Sequence, residues 1–135
     1  MANTRTDRAS YGKGAGSMST SSNSLIAASR VEGTNVYNRQ GESLGEINDL
    51  MIDKKSGHVA YAIMSFGGFL GMGESYHPLP WSVLDYDESQ GGYVVDLDKE
   101  RLTNAPNYGM NETPDWSGNY GRQIDDYYGV TPRAF

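Results

Sequence analysis

Cysteine is absent from this 135-residue chain, which removes disulfide frameworks, thiolate metal sites and cysteine nucleophiles together. Stability must come from packing, and a hydrophobic content of 37% supplies one modest core. Histidine is scarce: His58 and His77 are the two imidazoles, and they do not sit at a metal-ligand spacing such as His-x-x-x-His. No stretch approaches the roughly 20 apolar residues that a membrane-crossing helix needs. Met1-Ala2-Asn3-Thr4-Arg5 leads into no apolar run, so we expect no signal peptide, no membrane insertion and a cytoplasmic location. Positive charge is also short, with 11 Lys and Arg against 17 Asp and Glu for a net -6. It is unevenly placed: residues 1–24 carry Arg5, Arg8 and Lys13 against Asp7, a net +2, which leaves -8 for the remainder. So acidic a body repels phosphate backbones and releases no counterions, which argues against nucleic acid as a partner.

What is present divides into three parts. Residues 1–24, rich in Ser, Gly, Thr and Asn, cannot bury enough apolar surface to offset their ordering entropy and read as a disordered arm. Residues 25–106 read as the folded domain and 107–135 as an extension of different composition. The domain is organised around Gly41-Glu42-Ser43-Leu44-Gly45-Glu46-Ile47-Asn48-Asp49-Leu50-Met51-Ile52-Asp53, a turn opening a long strand. Its apolar positions change parity: Leu44 is even, Ile47 odd, Leu50 and Ile52 even again. A side-chain period of two cannot switch face without an extra residue, so bulges are expected near Gly45 and near Asn48-Asp49. The resulting bent strand suits a small closed barrel.

A polar turn over residues 53–57 should form a hairpin with residues 58–66, a strand apolar on both faces. Val59, Tyr61 and Ile63 lie on one side; Ala60, Ala62, Met64 and Phe66 lie on the other. One face can line the barrel, and the other needs cover from the extension or from a second chain. We expect Ile47, Ile52, Val59, Ile63, Trp81, Val95 and Leu97 to face inward. Gly67-Gly68-Phe69-Leu70-Gly71-Met72-Gly73 lacks the Lys-Ser/Thr of a phosphate loop and reads as an apolar hairpin tip. Tyr76-His77-Pro78-Leu79-Pro80 reads as an edge strand, because two prolines cannot donate to a ladder. A last hairpin spans residues 84–97, and Asp98 should cap a short helix over residues 99–104. In the extension Trp116, Tyr120, Ile124 and Tyr127-Tyr128 share one helical face, with Gly129 as its stop. Two glycines within it make the helix marginal without a surface to lie on.

The pattern Gly-x-x-Leu-Gly-x-Ile-x-Asp-Leu-x-Ile-Asp, followed by Gly57-His58-Val59-Ala60-Tyr61 and Pro78-Leu79-Pro80-Trp81, resembles the PRC-barrel domain. That family includes the cytoplasmic domain of the photosynthetic reaction centre H subunit and the C-terminal domain of the ribosome maturation factor RimM. The resemblance covers roughly residues 25–106 and implies an all-β fold: a small barrel of about six strands, with a short helix and a C-terminal helical extension. Bacterial proteins similar to this family also carry a Trp and Tyr-Tyr-Gly extension of this look. These barrels serve as docking modules in unrelated assemblies, so the resemblance implies a fold more than an activity.

No catalytic constellation stands out, and the protein is expected not to be an enzyme and to need no cofactor or metal. The leading expectation is a docking or scaffold module that self-associates as a homodimer and binds a protein of unknown identity. Its interface would use Tyr61, Met64, Phe66, Phe69, Leu70, Met72, Trp116, Tyr127 and Tyr128. The alternative is a small-ligand or metal-binding barrel of weak or no catalytic activity, drawing on Asp49, Asp53 and His77. Against it, Asp49 and Asp53 suit the role of accepting backbone N–H bonds at bulges and turns.

Overall fold

The computed structural model describes residues 24–67 and 74–131. Along the chain lie α1 (Ala28–Val31), β1 (Asn35–Tyr37), β2 (Ser43–Ile52), β3 (Val59–Gly67), β4 (Glu74–Pro80), a 3-10 turn (Trp81–Val83), β5 (Asp85–Asp87), β6 (Gly92–Val94), α2 (Lys99–Thr103), β7 (Tyr108–Gly109) and α3 (Tyr120–Tyr128). The chain is mainly β with a few short helices. All of the expected arm except Ser24 lies outside the described residues, as do Phe69, Leu70 and Met72.

The bulges sit where the change of parity required them. Val36 of β1 faces Gly45 and Tyr37 faces Ser43, so Leu44 is the extra residue. Ile47 faces Met64 and Asp49 faces Ile63, so Asn48 is extra. A further shift places Met51 opposite Tyr61 and Ile52 opposite Val59. Gly45 permits the close approach of β2 and β3 at the first bend, since a Cβ there would collide with the carbonyl oxygen of Ser65.

The strands form one sheet in the order β5-β6-β1-β2-β3-β4-β7, in which β1 and β6 are parallel. Its two end strands do not pair, so the expected closed barrel of about six strands is corrected to an open, seven-stranded sheet among the described residues. The ends explain this. β7 pairs only at Ser75 and Tyr76, and past them Pro78 and Pro80 have no N–H with which to lengthen a ladder. β5 is three residues long and carries Asp85 and Asp87, the charged residues that blunt a sheet edge. Thus β4 is an edge strand only in its proline-bearing half.

The bent sheet wraps one core. Val36 of β1, Leu44 and Ile47 of β2, Ala62 and Met64 of β3, Leu79 of β4 and Tyr93 of β6 share a buried cluster with Leu102 of α2. Of the residues expected to face inward, Ile47, Ile63, Val95 and Leu97 are buried, while Val59 and Trp81 are half-buried, the latter 5.5 Å from the Tyr93 ring. Ile52 is 49% exposed, because it is the last residue of β2 and the third register shift carries it to the mouth of the hairpin. The face assignment of β3 is reversed: Ala62 and Met64 point into the cluster, and Ile63 is buried on the opposite face. The Asn48 bulge sets this, since it lets Ile47 and Leu50 oppose Met64 and Ala62 on one side.

Among the helices, α2 has a side-chain N-cap and α3 a left-handed glycine at its end. Asp98 Oδ1 accepts the N–H of Arg101 at 2.7 Å and starts α2. α3 begins at Tyr120 rather than at Trp116, with Gly118 and Asn119 left in a turn, and it stops at Gly129 as expected. Among the described residues no helix is long and apolar enough to cross a membrane.

Candidate docking groove

The outer face of β3 and β4 is covered by the chain's own C-terminal residues. Tyr61 and Ile63 lie opposite Pro80 and Pro78, and Ser65 lies opposite Tyr76. Across this face runs a line of rings. Tyr76 meets Tyr108 at 5.5 Å, Tyr108 meets Tyr120 at 6.4 Å, Tyr120 meets Trp116 at 5.1 Å, and Trp116 meets Tyr61 at 5.4 Å. These separations lie in the range of tilted and edge-to-face aromatic pairs. The Tyr61 hydroxyl donates to Asp125 Oδ1 at 3.0 Å and lies 3.3 Å from the carbonyl oxygen of Gly121. A Cβ at Gly121 would come within 3.1 Å of that hydroxyl, so the glycine lets α3 approach closely. Ile124 is fully buried beneath the helix.

The far end of α3 is tied to α2. Arg101 Nη2 donates to the carbonyl oxygen of Tyr127 at 2.6 Å, the Tyr127 hydroxyl donates back to the carbonyl oxygen of Arg101 at 2.6 Å, and the guanidinium lies 4.6 Å from the Tyr127 ring centre. Tyr128 packs against the main core. Its hydroxyl and that of Tyr120 are buried without a hydrogen-bond partner among the described residues. Burial raises both phenols: Tyr120 is pushed up to about 12, with the nearby Tyr108 and Glu112 contributing, and Tyr128 is driven higher still.

Where this C-terminal strap meets the mouth of the β2–β3 hairpin it leaves a groove of about 420 Å³. It is lined by the apolar side chains of Met51, Ile52, Ala60, Pro80 and Val130, the Tyr61 and Trp116 rings, and the charged side chains of Asp53, Arg122 and Asp125. Asp53 accepts the N–H of Ser56 at 2.8 Å, and this bond, with help from the Ser56 hydroxyl, lowers its pKa below the usual carboxylate range. Half-exposed Ile52 therefore lies next to an ionised carboxylate.

Most residues expected at an interface are engaged within the chain. Met64 is fully buried in the core. Phe66 packs against that core with its ring edge-on to His77 at 5.3 Å. Tyr61 and Trp116 wall the groove, and Tyr127 and Tyr128 fasten the strap. The residues proposed for ligand or metal chemistry are not brought together. Asp49 accepts the N–H of Leu50 at 2.8 Å next to the Asn48 bulge, and Asp53 serves the hairpin turn. His77 is buried in the core, its Nε2 3.0 Å from the Ser75 hydroxyl, which in turn donates to the carbonyl oxygen of Phe66 at 3.2 Å. Its Nδ1 has no partner among the described residues, and burial pushes its pKa down to about 4.

Sequence reasoning missed Ile52, Ala60, Asp125 and Val130 as groove residues. A signal for Ile52 was available: it immediately precedes the residue 53–57 turn, and the last residue before a hairpin turn lies at the edge of a core. Asp125 carried another, as a carboxylate one residue from Ile124 on the apolar side of a marginal helix.

Comparison with known proteins bears on the fold. The family model described as the PRC-barrel domain matches residues 24–102. Among curated proteins nothing matches the chain. Solved structures do match, among them a protein described as a 16S ribosomal RNA processing protein, RimM, from Pseudomonas aeruginosa, at 22% identity and a TM-score of 0.38. The match covers 56% of this chain and 45% of that one, so the chain spans less than half the length of that protein.

Proposed function

The chain belongs to the PRC-barrel domain family, and from that premise we propose that it is a non-enzymatic docking or scaffold module of the cytoplasm. Its contact surface is the groove between the β2–β3 hairpin and the C-terminal strap. The observation that carries this reading is the exposure of Ile52 at the hairpin mouth, in a groove also lined by Asp53 and the Tyr61 and Trp116 rings. Large aromatic and aliphatic side chains set in a concave site are the usual anchors of protein contacts. Nucleic acid is not among the proposed partners, because the chain carries a net -6.

Self-association is the finer part of the proposal. Since Met64, Phe66, Tyr127 and Tyr128 are engaged within their own chain, a second copy would meet the groove; Phe69, Leu70 and Met72 lie outside the described residues. A lasting dimer needs more than about 1,000 Å² of buried surface, which the groove alone does not offer.

A photo-activatable side chain at position 52, with position 88 on the β5–β6 turn as control, tests the docking surface. Discrete adducts at position 52 that are missing at position 88 support it; identical patterns at both overturn it. Light scattering at micromolar concentration decides the dimer, and a monomeric mass removes it.

A further inference from the structure

The two ends of the open sheet differ in what they offer a further strand. Beyond the short β7, the edge of β4 is interrupted by Pro78 and Pro80, which have no N–H to give. At the other end β5 pairs with β6 along one side, and its second side faces no strand among the described residues. A strand so placed presents backbone donors and acceptors to any extended segment alongside it. Its side chains divide by face. Tyr86 is 54% exposed and lies 5.2 Å from the buried Tyr93 ring, itself 5.5 Å from Trp81, so a row of core aromatics ends in an uncovered ring. Asp85 and Asp87 belong to the opposite face, and Glu88 follows them in the turn.

We propose that β5 accepts an added strand from a partner protein, an extended segment in which basic and apolar residues alternate. Pairing of this kind takes its affinity from backbone hydrogen bonds and its selectivity from alternate side chains. An apolar residue of the added strand continues the aromatic row beside Tyr86, while the residues before and after it set Lys or Arg next to Asp85 and Asp87. The cation already present does not prevent this. Arg39 meets Asp85 at 3.2 Å, but both side chains are more than half exposed, and a surface ion pair of that sort exchanges at little cost. Asp87 is held in position by the Ser89 N–H at 2.9 Å and the Gln90 side-chain amide at 3.0 Å, so its charge stays at the edge. The same charges disfavour a second copy as the occupant, because two β5 strands paired about Tyr86 would set Asp85 against Asp87 twice. No residue of β5 lines the groove, so this surface is separate from it and does not rest on the docking reading.

The test is an amide NMR titration of the full-length chain at low salt with the capped peptide Lys-Val-Lys-Val-Lys. The largest shifts should fall on residues 84–88, and Glu-Val-Glu-Val-Glu should produce none there. The basic peptide N-methylated at its three central residues keeps every charge but loses its ladder donors, and it should bind at least about fivefold more weakly. Asp85→Asn with Asp87→Asn removes the charges while leaving an oxygen at position 87 for the Ser89 N–H, and should weaken the basic peptide about threefold to tenfold. The absence of shifts at millimolar peptide, shifts centred on groove residues 51–53, or an N-methylated peptide that binds as well as its parent each overturns the proposal. So does a double variant that binds the basic peptide as tightly as the natural chain.

Discussion

β3 is buried on both faces, and by different means. Its inner face, Ala62 and Met64, meets side chains from β1, β2, β4, β6 and α2 in an interlocked cluster dominated by aliphatic residues. Its outer face carries Tyr61 and the buried Ile63; the Tyr61 ring and hydroxyl meet Trp116 and Asp125 of the strap, and the line of rings continues through Tyr120 to Tyr108 of β7. The inner face needs the whole sheet to assemble. The outer one depends on a nine-residue helix that is too short to be stable alone and that keeps two phenol hydroxyls buried without partners among the described residues. A short helix that covers a sheet face through few contacts belongs to the low-stability end of a structure, so we expect the strap to open before the inner core.

The largest expected effect separates the two faces directly. Met64→Ala and Ile63→Ala each remove a fully buried side chain and should each cost about 2 to 5 kcal/mol in urea unfolding. Their dependence on the strap should differ. With Ile124→Ala in the background, the cost of Ile63→Ala should shrink while that of Met64→Ala stays the same, because Ile63 alone shares the strap-covered face. Equal coupling to Ile124 for both residues would erase the distinction between the faces.

Next in size is a pH effect confined to the inner face. Burial pushes His77 from 6.5 down to about 4, so the imidazole is neutral in both folded and unfolded chains above pH 6.5. As pH falls from 6.5 toward 4, the unfolded chain takes up a proton that the folded chain refuses, and stability is lost across that window. The loss approaches about 3 kcal/mol at its lower end. Asp53, Asp87 and Asp115 have lowered pKa values, so their stabilising share is present above the unfolded carboxylate pKa and goes at lower pH than that of His77. Urea titrations at pH 7 and pH 4.5 should therefore differ by about 2 to 3 kcal/mol more in the natural chain than in His77→Leu. A difference unchanged by that substitution places the acid sensitivity elsewhere.

The two faces also mark what the residues alone could reveal. The bulges near Gly45 and Asn48 were legible because a period of two leaves a visible break in Leu44, Ile47 and Leu50. The need for a cover over the second face of β3 was legible from Tyr61, Ile63 and Met64 in one strand, and so was a helix bearing Tyr120, Ile124 and Tyr128. Which face turned inward was not, because both are apolar and the choice rests on the partner strand's bulge rather than on β3 itself. The open sheet was hidden for a similar reason: pairing between β5 and β7 is decided by the lengths of two very short strands, to which periodicity is blind. The groove was least legible. It exists only where the hairpin mouth and the strap meet, and Ile52 read as core until the third register shift was in view.

The smallest expected effect tests how the strap is held. Tyr61→Phe keeps the ring against Trp116 and removes only the hydroxyl that reaches Asp125 and Gly121. The expected cost is about 1 kcal/mol, the usual net worth of one part-buried hydrogen bond. Tyr127→Phe removes the hydroxyl that bonds the Arg101 carbonyl at the other end of α3 and should cost about the same. If α3 is one rigid strap fastened at two points, losing either fastening frees the helix and makes the second worth less, so the double variant should lose less than the sum of the singles. A strictly additive pair, within about 0.3 kcal/mol, would mean that the two ends open independently. The inner face offers no such pair of fastenings, since Met64 and Leu79 are held by packing within one shared cluster, where coupling is the rule.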